Sequence, residues 1–385
     1  MGAPPRAAQN PPMSPHGVPV HWLARAPRSA DPADPADPSP APLSRLVHDR
    51  RQRPWRDLRI SLTDRCNFRC SYCMPRSRFG PGHRFLPQAR LLNFEEISQV
   101  ADAALSLGVR TLRLTGGEPL LRRELPLLVR QLAALRTPEG LAPDLALTTN
   151  GSLLAAQAGA LREAGLQRLT VSLDALDPEL FGRMNEVGFP VAEVLRGIEA
   201  AQAAGFERIK VNMVVRKGVN EHEALPMAAH FRGSGVVLRF IEFMDTGCAN
   251  TWRLDQVLPS QQLRERLQAR WPLQALGATR DGETAERWAY RDGAGELGFI
   301  SSVSQAFCGD CTRARLTADG RVFTCLFGSQ GLDLRPILRG SSGGSERLRA
   351  TLAGIWQQRA DAYSEQRGRL GAEPPRRAEM HELGG

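Results

Sequence analysis

Lysine is almost missing from this chain. Of 50 Lys and Arg residues in 385, only Lys210 and Lys217 are lysines, so the net charge of +9 rests on arginine. Guanidinium forks suit phosphate oxygens, and a basic balance fits nucleic acid, anionic lipid or a phosphorylated small molecule. It also fits a solvated arginine-rich surface. No stretch approaches the ~18 consecutive apolar residues of a spanning helix, so the chain reads as soluble, with no membrane partner. The first thirty residues lack acidic groups but are proline-rich and without an amphipathic arginine pattern, so a transit-peptide reading is not adopted. Seven cysteines are too few for a secreted disulfide scaffold. Their clustering points to metal in a reducing compartment, the cytoplasm. The histidines show no ligand spacing.

Residues 1–45 are low-complexity, with the run Asp31-Pro-Ala-Asp-Pro-Ala-Asp-Pro38, and read as a disordered Pro/Ala-rich extension. From Asp57 onward apolar runs alternate with amphipathic helices. Strands are expected at Leu58–Leu62, Thr111–Thr115, Leu145–Thr149, Leu169–Leu173, Ile209–Val215 and Val236–Phe243. Between them lie the helical patterns Ile97/Val100/Ala101/Ala104, Leu125/Leu128/Val129/Leu132 and Val194/Leu195/Ile198/Ala201, several with a glycine stop. This alternation predicts an α/β fold with a parallel sheet. The absence of a glycine-rich nucleotide fingerprint favours a partial (β/α)6 barrel, assigned to 46–250. A smaller α+β C-terminal unit, 251–385, is expected to hold strands near Arg287–Arg291, Leu297–Ser302, Arg313–Thr317 and Val322–Leu326. Helices are expected around Ser260–Arg270 and Leu348–Gln358.

Polar residues share one strand face: Arg59 and Ser61, Thr111/Arg113/Thr115, Lys210/Asn212. A barrel filled only by packing turns branched apolar residues inward. A cationic, hydroxylated interior implies a cavity facing an anion; the alternative is that these cations reach solvent past an open edge.

Six cysteines form two triplets, Cys66/Cys70/Cys73 (Cx3CxxC) and Cys308/Cys311/Cys325 (CxxC, then thirteen intervening residues). Three thiolates can wrap a cubane iron–sulfur cluster and leave one corner open. Zinc is the rival by spacing, although structural zinc wants four protein ligands and none is near in sequence. Cys248 is a lone core or loop thiol. Glu118, Glu242 and Asp245 read as residues that position neighbours, none as a general base.

Cx3CxxC after the first strand, with Tyr72 before its last cysteine, resembles the radical-SAM superfamily. Gly116-Gly117-Glu118-Pro119, at the end of the second strand, is similar to that family's GGEP motif. The resemblance implies that the open iron chelates S-adenosylmethionine and that a 5'-deoxyadenosyl radical is made. It assigns SAM contacts to Tyr72, Gly117, Ser172 and Met244.

With Phe307-Cys-Gly-Asp-Cys311-Thr-Arg-Ala-Arg315, Cys325-Leu-Phe-Gly328, Leu-Thr-Thr-Asn-Gly151 and a terminal Gly384-Gly385, the chain most resembles the radical-SAM GTP 3',8-cyclase family of molybdenum-cofactor (molybdopterin) biosynthesis. Leu383 stands where that family would lead one to expect isoleucine. This implies two [4Fe-4S] clusters and SAM as cofactors, and GTP as substrate, bound by Arg59, Arg113, Thr148, Lys210, Arg313 and Arg315, with Arg239 as a further candidate. Arg313, Arg315, Gly384 and Gly385 are the implied catalytic residues. Removal of the ribose C3' hydrogen and attack on C8 would give (8S)-3',8-cyclo-7,8-dihydroguanosine 5'-triphosphate. Replacing Arg313 by Ala is expected to abolish this while leaving both clusters assembled. The implied partners are an electron donor such as a flavodoxin or ferredoxin and a downstream cyclic pyranopterin monophosphate synthase. No nucleic acid is implied, and a homodimer is left open. The alternatives are a radical-SAM peptide maturase with an auxiliary cluster and an iron–sulfur nucleic-acid binder, which would carry its cations on the surface.

Overall fold

Residues 46–280, 282–340, 344–367 and 377–384 are described by a computed structural model. The 1–45 extension and Gly385 lie outside the described residues. Strands β1 (Asp57–Ser61), β2 (Thr111–Thr115), β3 (Asp144–Thr149), β4 (Arg168–Ser172), β5 (Arg208–Val215) and β6 (Val237–Glu242) pair in parallel and in chain order. Each expected strand is present within a residue or so of its predicted ends. Helices α1 (Phe94–Ser106), α2 (Leu125–Ala134), α3 (Leu154–Glu163), α4 (Pro178–Asn185), α5 (Val191–Ala203) and α6 (Ala224–Phe231) fill the crossovers.

The apolar faces picked out by period are the buried ones: Ile97, Val100, Ala101 and Ala104 on α1, Leu125, Leu128, Val129 and Leu132 on α2, and Val194, Leu195, Ile198 and Ala201 on α5. Burying each large side chain stabilises the fold by about 1.5–3 kcal/mol. Helix α1 starts where Asn93 and Glu96 exchange side-chain and backbone hydrogen bonds, a capping box. Sequence periodicity had not marked α4. It starts on the Asp177 carboxylate, which accepts from Leu180 N at 2.7 Å, and its last turn supports the first cysteine loop.

After residue 250 come α7 (Ser260–Gln268), β7 (Leu273–Leu276), β8 (Glu286–Tyr290), β9 (Glu296–Ile300), β10 (Arg313–Leu316), β11 (Arg321–Phe323), β12 (Leu332–Asp333), α8 (Arg335–Leu338), α9 (Gly344–Gln358), α10 (Tyr363–Gln366) and α11 (Met380–Leu383). These strands do not form a sheet of their own. β9 pairs in parallel with β6, and β10 in parallel with β1, so one twelve-stranded sheet runs β12-β11-β10-β1-β2-β3-β4-β5-β6-β9-β8-β7. Both edges of the six-stranded unit, which would otherwise present unpaired N–H and C=O groups, are covered. Buried Glu242 at the end of β6 adds a polar tie. Its carboxylate accepts from Ser260 N, Val303 N and Ser304 N at 2.7–2.9 Å. Trp356 on α9 stacks on Trp55, just before β1, at 5.5 Å.

Candidate active site

Strand register builds the first part of the site. Arg315 on β10, Arg59 on β1 and Arg113 on β2 are direct partners across three neighbouring strands. Such strands lie about 4.8 Å apart, and like charges placed opposite one another destabilise a sheet. Arg113 and Arg315 are buried, and the Nε atoms of Arg59 and Arg113 have no hydrogen-bond partner. Burial and then neighbouring cations lower the guanidinium pKa of Arg59, Arg113, Arg239 and Arg315, whereas for Arg313 burial is outweighed by the Cys311 thiol, which raises it. Arg315 falls to about 10 through burial and Arg313, and Arg239 to about 9 through burial and Arg113. Arg59 is lowered by burial and then by Arg315. A cavity of about 960 Å³ is lined by Arg59, Arg113, Thr148, Arg239, Arg313 and Arg315. The inward-facing reading of the strand cations therefore holds. Lys210 is not on that lining. It stands beside it, pushed down to about 7 by burial and by Arg239, Arg168 and Arg113.

The first cysteine triplet occupies the loop after β1. Arg69 ties the loop to itself, its Nη1 donating to the carbonyls of Cys66 and Phe68 (2.7 Å each) and its Nε to that of Phe79 (2.8 Å). The end of α4 supports it through Arg69 N to Asn185 O and Ser71 N to Met184 O. The Gly116-Gly117 turn packs on the backbone entering this loop. Gly117 N donates to Thr63 O at 2.8 Å, and a Cβ at Gly117 would lie 2.2 Å from Arg65 O. That position requires glycine because protein backbone fills the space.

Glu118 then joins the turn to the end of β3. Its carboxylate accepts from Leu120 N, Thr149 Oγ1 and Asn150 N. Burial pushes Glu118 up to about 7. Asn150 in turn donates to Asn67 Oδ1 at 2.8 Å and reaches Cys66 Sγ at 3.8 Å. Tyr72 donates to Asp174 Oδ2 at 2.7 Å, two residues beyond Ser172, and burial pushes Asp174 up to about 6.

Among the described residues, no three Cys, His, Asp or Glu side chains converge as they would on one metal ion. The fit to a cluster rests on the donors: three thiols on one loop, each raised by burial, Cys66 to about 12. The thiols of Cys66 and Cys73 also raise Cys70. Coordination to iron deprotonates such a thiol outright. Cys66, Cys70 and Cys73 fit a group of that kind.

The second triplet sits in a different electrostatic setting. Burial would raise Cys311, but Arg313 and Arg359 outweigh it and hold the thiol near 6. Arg313 Nη2 donates to Cys311 Sγ at 3.2 Å, and its guanidinium lies 5.1 Å from the Phe307 ring centre. Two further arginines grip the backbone: Arg53 donates to Cys308 O and Arg359 to Cys311 O, both at 2.6 Å. Buried Asp49 accepts from both guanidiniums, at 2.6 Å from Arg53 and 3.4 Å from Arg359.

The C-terminal segment enters the same space. Leu383 is fully buried, and Arg315 donates from Nη1 to the carbonyls of Leu383 (3.1 Å) and Gly384. Met380 lines the cavity. Gly384 has φ +71°, and a Cβ there would lie 2.0 Å from Thr115 Cγ2, so only glycine fits against the end of β2. His381 packs edge-on against Phe79 at 4.8 Å, beside Cys66 and Cys73.

The structure thus brings Arg59, Arg113, Thr148, Arg313 and Arg315 around one cavity, with Met244 on its wall and Gly384 against Arg315. Tyr72, Gly117 and Ser172 lie at the ends of the barrel strands and the cysteine loop, off that lining. Asp174, Asn150, Arg53, Asp49 and Arg359 were not singled out from the sequence. Two of them had a local signal: Asn150 inside the Leu-Thr-Thr-Asn-Gly151 run, and Asp174 two residues after Ser172.

Residues 60–230 match the Radical SAM superfamily model, and residues 236–365 match Molybdenum Cofactor Synthesis C. A solved radical SAM methyltransferase from Sphaerobacter thermophilus superposes over 56% of this chain and 63% of its own, at 20% identity and a TM-score of 0.41. A GTP 3',8-cyclase of Xanthomonas axonopodis pv. citri (strain 306) is 54% identical over 342 residues, 88% of this chain and 99% of its own. One from Acidothermus cellulolyticus is 52% identical over 324 residues, 83% of this chain and 88% of its own. With identity of that order across both halves, the chain belongs to the GTP 3',8-cyclase family.

Proposed function

We infer that this chain converts GTP to (8S)-3',8-cyclo-7,8-dihydroguanosine 5'-triphosphate, the first step of molybdenum-cofactor biosynthesis. The observation that carries the reading is the row Arg315–Arg59–Arg113 facing a cavity whose wall also includes Cys308, Cys311 and Cys325. Cations at that spacing repel until an anion lies among them. Each partly buried phosphate–guanidinium pair at ~4 Å is worth up to about 4 kcal/mol gross at an effective dielectric near 20, before desolvation is subtracted. Arg59, Arg113 and Thr148 hold the triphosphate, with Lys210 adding charge from behind. Arg313 and Arg315 set the nucleotide's other end beside Cys308, Cys311 and Cys325. The peptide-maturase alternative is not favoured, given cyclase relatives that cover 83–88% of this chain.

A cluster on Cys66, Cys70 and Cys73 together with SAM supplies, when bound, the one-electron chemistry that opens the reaction. Tyr72, Gly117, Ser172 and Met244 are the residues that would hold the cofactor there. Cys308, Cys311 and Cys325 would hold a second [4Fe-4S] cluster near the base. Gly384 would contribute directly, as would Gly385. An acidic one-electron carrier such as a flavodoxin or ferredoxin would find a cationic face beside the first triplet. Residues 65–92 hold six arginines and no carboxylate, and Arg65, Arg76, Arg78 and Arg84 are exposed. A cyclic pyranopterin monophosphate synthase would consume the product. Clustered thiols and iron–sulfur chemistry support a reducing compartment, the cytoplasm, as its location; among the described residues no helix is long and apolar enough to cross a membrane.

The deciding experiment is anaerobic incubation of the reconstituted, reduced protein with SAM and GTP, following 5'-deoxyadenosine and a cyclised nucleotide. Both products should appear together. Deoxyadenosine that is indifferent to GTP yet stimulated by a peptide would overturn the assignment.

A further inference from the structure

The last described residues do not simply lie in the site; the segment that leads to them is anchored on the loop after β6. Asp245 follows Met244 in the loop after β6. Its carboxylate gathers donors from two separate stretches of chain: Tyr363 OH at 2.7 Å and Arg367 Nε at 2.8 Å from the α10 region, and Arg377 Nη1 at 3.1 Å from the segment leading into α11. Arg377 Nη1 also donates to the Asp245 carbonyl at 2.7 Å, and Nη2 to Tyr363 OH. The guanidinium of Arg377 lies 4.2 Å from the Tyr363 ring centre, and that ring stacks on Phe327 at 4.3 Å. The Arg377 side chain is only 4% exposed and that of Asp245 14%. Charged groups this deeply buried keep one arrangement only if their donors and acceptors are matched; Asp245 and Arg377 meet that condition, and within the cluster only Arg367 Nη2 is buried without a partner.

A second attachment follows two residues later. The Glu379 carboxylate accepts from Cys248 N at 3.1 Å and from Ala249 N at 3.3 Å. It approaches Gly247 so closely that a Cβ there would lie 2.2 Å from Glu379 Oε2. Glu379 also begins α11 with a capping box to Glu382, so the direction of the single helical turn is set at this point. That turn ends at Leu383 and Gly384, whose carbonyls receive Arg315. From Arg377 to Gly384 there is no unanchored residue pair long enough to let the end wander. The same 244–250 loop touches the first cysteine loop, where Asn250 Nδ2 lies 3.5 Å from Tyr72 O.

We propose that Asp245 is a positioning residue for the cyclisation: through Arg377 and Tyr363 it fixes the docking of residues 377–384, and hence where Gly384 meets Arg315. This deepens the functional reading above and rests on it only for the catalytic consequence. Asp245 touches neither nucleotide nor iron in this role. Its effect passes through the tail.

The test compares full-length wild type with Asp245→Asn, which keeps the shape of the side chain but removes its charge, and with Tyr363→Phe, which removes one hydrogen bond. Hydrogen–deuterium exchange of the reconstituted protein should show the 377–384 amides, among them Ala378 and Gly384, exchanging at least tenfold faster in Asp245→Asn. Tyr363→Phe should lie between it and wild type. Exchange in β1–β6 and iron content should be unchanged. In the same preparations the yield of cyclised nucleotide per 5'-deoxyadenosine should drop at least tenfold for Asp245→Asn, and Asp245→Glu should recover part of it. Tail exchange that stays slow would overturn the proposal, as would a fast-exchanging tail with undiminished product yield. A wild type that makes no cyclised nucleotide would instead refute the functional reading and leave the exchange result standing as evidence for the anchor.

Discussion

Arg59 on β1 stands in register with Arg315 on β10 and, on its other side, with Arg113 on β2. Three guanidiniums in line across a buried sheet are poor for stability and good for a polyanion. The two effects can be separated, because a substitution that relieves the repulsion must also remove a phosphate donor.

Arg113→Met should therefore raise the thermal midpoint of the nucleotide-free protein by a few degrees while weakening GTP binding about 10- to 100-fold. That is the loss of one charge-assisted contact of roughly 1.5–3 kcal/mol. Calorimetry for the first quantity and equilibrium binding for the second check the opposite signs. A variant that is both less stable and normal in binding would show that Arg113 has a packing role alone.

Lys210 gives the binding a pH dependence. In the free protein burial, followed by Arg239, Arg168 and Arg113, lowers it to about 7, with Glu283 opposing. Below that value it is already charged; above it, it must take up a proton to add its charge behind the phosphates, and the bound anion favours that proton. Affinity for GTP should thus fall as pH rises from about 7 to 9, with net proton uptake on binding in this range. Titration calorimetry in buffers of different ionisation enthalpy measures the uptake. Lys210→Met should abolish it.

Arg313 and Arg315 are two residues apart on β10 but do different work. The sequence-based expectation was that Arg313→Ala would spare both clusters. The hydrogen bond from Arg313 to Cys311 Sγ changes that expectation. Arg313→Ala should lower iron from about eight to about four per chain, whereas Arg315→Ala should retain the full complement and lose the cyclised product at least 100-fold. Iron analysis and visible absorbance of the reconstituted proteins distinguish the two.

The barrel strands were legible because alternation and glycine stops are local signals, and the cysteine triplets and the Gly116-Gly117 turn were legible as compact motifs. What escaped notice depends on residues far apart in sequence. Arg53 lies 255 residues before Cys308, whose carbonyl it holds, and nothing around either residue announces the pairing. The edge pairings β1–β10 and β6–β9 were invisible for the same reason: short strands carry their own period but not the identity of their neighbour. Lys210 was placed correctly on the inward face yet stands off the cavity wall. The two-residue period sets a side chain's face, and its depth depends on the surrounding packing.

Because β10 and β9 close the two edges of the parallel strands, the order of synthesis constrains assembly. When residues 57–242 have left the ribosome, β1 and β6 still offer free hydrogen-bonding edges, and their neighbours lie in sequence not yet made. The nascent chain must keep those edges from pairing with other chains until about residue 316 is out. A chain ended near residue 250 should accordingly aggregate rather than form a separable barrel. Iron loading of the first triplet in a stably closed fold then becomes an event that follows translation.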